Sequence, residues 1–140
     1  MRLVVIPFQK PHIPIYLGGF SSNTFSRRVK QDLNGWLGVS GPLAQVENGK
    51  NTIKQYADQM NKDSKNFRTI VLTYSNVENH SPPNDRNRSP LTGTIDVIGR
   101  DIQRLKDMVD HIIFGYNFVP IGRDVDKMIN LSKELSKFAR

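Results

Sequence analysis

Apolar and polar residues alternate most regularly over residues 67–75, where Arg68, Ile70, Leu72 and Tyr74 occupy one face and Phe67, Thr69, Val71 and Thr73 the other. That period of two, rich in β-branched and aromatic types, predicts a strand. Residues 92–98 return as a second short extended run. The stretch between them, 76–91, contains Pro82-Pro83, Asn84, Asp85, Asn87, Ser89 and Pro90 and hardly an apolar side chain besides Val77, so it predicts an exposed loop that cannot repay its ordering entropy by burial. Two extended runs joined this way predict an antiparallel hairpin with a long tip.

The helical period governs other segments. Ile102, Leu105, Val109, Ile112 and Ile113 follow it after Gly99, with Asp101 near the start, where a carboxylate suits the helix dipole. Val125, Met128, Leu131, Leu135 and Phe138 predict a C-terminal helix within 123–140, opened by Asp124 and Asp126 and closed by Lys133 and Lys137. Phe25, Val29, Leu33 and Trp36-Leu37 predict an earlier helix that Asn23 or Thr24 caps and Gly38 and Gly41-Pro42 end. Ile53, Tyr56, Ala57 and Met60 predict another, weakly amphipathic one. Residues 1–17 carry Pro7, Pro11 and Pro14 and predict an extended N-terminal arm, broken by Gly18-Gly19. The expected fold is α+β: one domain with a small, mostly antiparallel sheet flanked by about four helices.

A length of 140 residues suits a single core. The absence of cysteine excludes disulfide frameworks, cysteine-based zinc sites and thiol nucleophiles. The apolar run Leu3-Val4-Val5-Ile6 stops at Pro7, well short of the roughly 20 residues of a membrane span, so no membrane partner is expected and the protein should be soluble and made inside the cell. A formal charge of +7 favours anionic partners, although the cations are scattered with no block of like charge.

Candidate chemistry is sparse. His12, His80 and His111 have no metal-ligand spacing between them. Asp96, with Glu47 and Lys50, fits no metal-dependent nuclease pattern, and Asp96 is expected to face solvent from a strand. Gly49-Lys50-Asn51 fails the phosphate-loop pattern, and Gly38-Val39-Ser40-Gly41 is one residue short of a nucleophile elbow. An echo, Ile98-Gly99-Arg100-Asp101-Ile102 and Ile121-Gly122-Arg123-Asp124-Val125, is expected at two strand-to-helix junctions. It reads as a pair of helix starts or, since glycine and free N–H groups admit an anion, as phosphate cradles. Tyr16, Phe20, Phe25, Arg27 and Arg28 interleave rings with cations and sustain the alternative of a basic nucleic-acid-binding module. No catalytic residue, cofactor or metal is expected, and the chain reads as a non-enzyme.

The run Phe67-Arg-Thr-Ile-Val-Leu-Thr-Tyr, the polar tip, Thr92-Gly-Thr-Ile-Asp-Val-Ile-Gly and Arg100-Asp-Ile-Gln-Arg-Leu-Lys-Asp-Met-Val-Asp-His-Ile resembles the core of phage tail-terminator and tail-completion proteins over residues 67–114. The resemblance implies a structural assembly protein of the virion tail or neck, assembled in the host cytoplasm, whose homo-oligomeric ring joins tail tube to connector close to packaged DNA. Its contacts would be made by an arm and a loop that order on binding. Arg2, Val4, Ile6, Phe8, Ile13 and Ile15 are the arm candidates, and Asn84, Arg86 and Arg88 those of the loop. The proline-rich arm and the last helix have no counterpart in that family.

Overall fold

A computed structural model describes residues 13–19, 33–39, 41–59, 61, 66–79 and 88–139. Its centre is a four-stranded sheet of β1 (Tyr16–Gly18), β2 (Gly35–Val39), β3 (Arg68–Tyr74) and β6 (His111–Gly115). Between β3 and β6 lie two short strands, β4 (Asn76–Val77) and β5 (Thr92–Gly93), which pair with each other. The helices are α1 (Leu43–Gln59), α2 (Ile95–Lys106) and α3 (Val125–Leu135), with 3-10 turns at Pro120–Arg123 and Ser136–Ala139.

Every pairing in the main sheet is parallel, and the strands are ordered β1-β2-β3-β6, the order in which the chain makes them. This corrects the expected antiparallel sheet, and the described residues carry three α-helices. The expected hairpin is absent for a local reason. Thr94 adopts an extended conformation and its Oγ1 accepts from the Val97 N–H at 3.4 Å, so the second apolar run turns helical at Ile95. β4 and β5 also run parallel to each other. Downstream, α2 stops at Lys106, and Ile112 and Ile113 belong to β6 although their spacing continues that of the helix. Trp36 and Leu37 likewise lie in β2 instead of ending a helix. The expected strand at 67–75 and the helix at 123–140 appear as β3 and α3, and α1 is longer than its weak apolar stripe indicates. Most of the N-terminal arm lies outside the described residues, which pick it up at Ile13.

Alternation along the strands gives the sheet two unlike faces. Leu17, Trp36, Val71, Ile112 and Phe114 point to the helices. There one cluster joins Val46 of α1 and Ile98, Ile102 and Leu105 of α2 to Leu131 and Leu135 of α3, and a smaller one joins Leu17, Trp36 and Ile53. Each such buried aliphatic side chain contributes about 1.5–3 kcal/mol relative to exposure. The buried stripe of α2, from Val97 and Ile98 through Asp101 and Ile102 to Leu105, has the period of a helix lying on a sheet. None of Leu37, Val39, Ile70, Leu72 or Ile113, on the other face, belongs to either cluster.

The amino ends of the strands are stitched by one device used twice. Asn34, just before β2, accepts the Ile15 N–H on its Oδ1 at 2.8 Å and donates its own N–H to the Ile15 carbonyl. Asp110, just before β6, does the same with Thr69, its Oδ2 accepting at 2.7 Å. A short acceptor side chain one residue ahead of a strand thus aligns it with its neighbour.

Candidate functional site at the carboxyl edge

Ligand sites in parallel α/β sheets gather outside the carboxyl ends of the strands, where loops converge on unpaired backbone. Among the described residues, the chain leaving β2, β3 and β6 contributes to that edge. After β6, residues Asn117, Phe118, Val119, Pro120, Gly122 and Arg123 line an open concavity of about 570 Å³. Phe118 is 75% exposed. Its ring meets Tyr74, the last residue of β3, edge-on with centroids 5.2 Å apart. Arg123 is the only ionisable group in the lining, and among the described residues no carboxylate pairs with it. Just beyond, the Asp124 carboxylate turns away to cap α3, accepting the Lys127 N–H at 3.0 Å on Oδ1 and meeting Lys127 Nζ at 3.0 Å through Oδ2. The Lys127 backbone N–H, then the Lys127 side chain, hold the Asp124 carboxyl below its ordinary pKa.

Ahead of α2, residues 88–92 are tied to the helix and to β3 by side-chain hydrogen bonds. Arg88 places two guanidinium nitrogens on Asp101, Nη1 to Oδ2 at 2.6 Å and Nη2 to Oδ1 at 2.9 Å, and Nη1 also donates to the Thr92 carbonyl at 2.8 Å. Asp101 Oδ2 accepts the Leu91 N–H at 2.8 Å as well, and Thr73 Oγ1 donates to the Pro90 carbonyl at 3.0 Å. Leu91 is thereby held at a φ of 63° with its side chain fully buried. Nearby, the buried Ser75 hydroxyl, immediately after β3, has no hydrogen-bond partner among the described residues.

Among the described residues, two smaller cavities lie at the amino edge, of about 210 Å³ beside Lys106, Asp110 and His111 and about 200 Å³ beside Lys50, Lys54 and Asp110. Their shared carboxylate, Asp110, is committed to the Thr69 N–H.

Of the expected contact residues, Ile13 and Ile15 are exposed, and the Ile15 backbone is tied to Asn34. Arg2, Val4, Ile6, Phe8, Asn84 and Arg86 lie outside the described residues. Arg88 does not face a partner, since its side chain is only 6% exposed and is spent on Asp101. Asp96 is exposed in the first turn of α2, not on a strand, while Glu47 and Lys50 belong to α1. Among the described residues, no group of three His, Asp or Glu could hold a metal. Of the rings and cations of the nucleic-acid alternative, Tyr16 lies across from Gly35 in the sheet, and Phe20, Phe25, Arg27 and Arg28 lie outside the described residues.

The Gly-Arg-Asp echo divides. Its first copy lies inside α2, where Asp101 is buried, and its second alone sits at a junction, where Arg123 faces the large concavity. Asn117 and Phe118 escape sequence reasoning. Their one signal is an aromatic placed between a β-rich run and that Gly-Arg pair.

No protein-family model and no curated protein matches the chain. Among solved structures, an F420-dependent secondary alcohol dehydrogenase in complex with an F420-acetone adduct is similar in fold. Its TM-score is 0.70 at 14% identity, over 94% of this chain and 50% of that one, so the present chain spans about half its length. The expected tail or neck assembly role is overturned with the antiparallel strand-loop-strand core on which it rested: β3 and β6 run parallel with α2 between them in the chain, and the fold is similar to that of an enzyme. What the chain is shown to share with the dehydrogenase is its fold.

Proposed function

We propose that this chain is a ligand-binding α/β unit that receives an anionic group joined to a planar ring at the carboxyl edge of its sheet. The observation that carries the reading is the concavity after β6, where Arg123 supplies a fixed positive charge, Phe118 an exposed ring and Asn117 an amide, with no carboxylate in the lining to oppose an anion. A guanidinium remains protonated at any physiological pH, so it can orient an anion through charge-assisted hydrogen bonds but cannot exchange protons as a general base. Arg123 is therefore assigned a binding role.

F420, on which the similar dehydrogenase depends, is a natural first probe, and pyrophosphate tests the anion site alone. Saturable binding of both is expected by fluorescence titration and calorimetry, weakened about tenfold or more in Arg123→Gln, the loss expected of a hydrogen bond to a charged group. Absence of binding by either probe, or equal affinity in Arg123→Gln, would overturn the proposal.

A further inference from the structure

We infer that Tyr74 is the positioning residue for the ring half of the carboxyl-edge site, a role that rests on the ligand-binding reading above. Edge-on contact with its ring sets the orientation of Phe118 before a planar aromatic ligand arrives, and so gives the site its preference for ring-bearing anions over simple ones.

Phe118 is 75% exposed, and an exposed side chain of this kind moves between rotamers unless something holds it. Freezing it when a ligand arrives costs conformational entropy and therefore affinity, so a ring oriented beforehand binds better than a free one. Its hold here is the Tyr74 ring, with centroids 5.2 Å apart and planes at 71°, the T-shaped geometry that aromatic quadrupoles favour. The contact uses little of the Phe118 surface, and the remainder faces solvent at the concavity that Asn117, Val119 and Arg123 also line.

Tyr74 can act as a support because it is itself supported. It ends β3, stands half-buried opposite Gly115 of β6, and lies over the space that a side chain at Gly115 would fill. A carbon there would come within 2.8 Å of Cδ1 and 3.0 Å of Cε1 of the ring. The Ser75 N–H, donated to the Gly115 carbonyl at 3.3 Å, ties the strand just beyond. Glycine at 115 thus admits a large ring across β6, and that ring reaches Phe118, the third residue past the strand.

The charged half has a different support. The Tyr116 carbonyl accepts the Val119 N–H at 3.3 Å, the Val119 carbonyl accepts the Gly122 N–H at 2.9 Å, and the Ile121 carbonyl accepts the Asp124 N–H at 3.0 Å. Gly122 packs so closely on the Tyr116 carbonyl that a side chain there would collide with it. None of these bonds involves Tyr74. Loss of its ring should therefore loosen Phe118 and leave in place the backbone that carries Arg123.

The test compares F420 and pyrophosphate by calorimetry on the wild type, Tyr74→Leu, Tyr74→Phe and Phe118→Leu. Tyr74→Leu should weaken F420 about fivefold and change pyrophosphate by less than about twofold, while Tyr74→Phe, which keeps the ring, should bind F420 as the wild type does. Phe118→Leu should weaken F420 at least as much, and adding Tyr74→Leu to it should cost little more, since the two rings act together. Tyr74→Met takes the place of Tyr74→Leu if that variant does not fold. A second measurement needs no ligand: in NMR spectra of the free protein with labelled phenylalanine, the Phe118 ring signals should be displaced by the Tyr74 ring current. The displacement should vanish in Tyr74→Leu and persist in Tyr74→Phe. Failure of the wild type to bind the probes overturns the reading of the site and this role with it. Binding of both probes by the wild type, with Tyr74→Leu altering the two affinities by the same factor or altering neither, overturns the role of Tyr74 alone, as does a Phe118 signal indifferent to Tyr74→Leu.

Discussion

Arg88 and Asp101 form a two-pronged ion pair with side chains 6% and 1% exposed, and the same carboxylate holds the backbone of Leu91. One acidic residue in the middle of α2 thus fixes the chain entering that helix. Asp101→Ala should cost about 3–5 kcal/mol, because it strands a buried guanidinium and releases the Leu91 N–H. Replacing both partners, as in Arg88→Met with Asp101→Leu, should cost less than the single change. Chemical denaturation of the three proteins checks the order.

Ser75 gives the opposite expectation. Its hydroxyl is buried without a partner among the described residues, a condition that costs about 1–3 kcal/mol in desolvation. Ser75→Ala should melt at the same temperature as the parent or higher. A clear fall in melting temperature would show that the hydroxyl is engaged.

Gly115→Ala should destabilise by about 1–3 kcal/mol, since the new methyl would press on the Tyr74 ring. Tyr74→Ala should relieve that clash, so the double variant should lose less than the sum of the two single losses. A double-mutant cycle measures the coupling.

Acid should act on the start of α3. Because the folded-state pKa of Asp124 lies below the unfolded one, its contribution is present above the ordinary carboxylate range and is lost as pH falls through the lowered value. Asp124→Asn keeps a capping oxygen and should flatten this part of the acid-melting profile, as read by circular dichroism at stepped pH.

The elements legible in the sequence are those with an uninterrupted period. β3 alternates over its whole length, and α3 keeps its apolar stripe from Met128 to Leu135. Parallel strands packed under helices are harder to read: β6, His-Ile-Ile-Phe-Gly, is a short apolar run whose first isoleucine also falls at helical spacing from Leu105 and Val109. β2 carries glycine at Gly35 and Gly38, which weakens any strand signal. Gly99 looks like a break, yet it lies within α2, and the turn that does end the helix, at Asp107-Met108, has neither glycine nor proline to mark it. At the carboxyl edge, Arg123 is visible as half of an echo, but its separation from the first half depends on which copy the fold buries, and that is a property of the sheet order.

Trp36 is the chain's single tryptophan, fully buried, and its Nε1–H donates to the Gly19 carbonyl at 2.7 Å. The molecule therefore carries its own optical gauge. The indole emission should be blue-shifted while β1 is seated beside β2, and a red shift at mild denaturant, ahead of the loss of helical dichroism, would time the peeling of that strand without any added label.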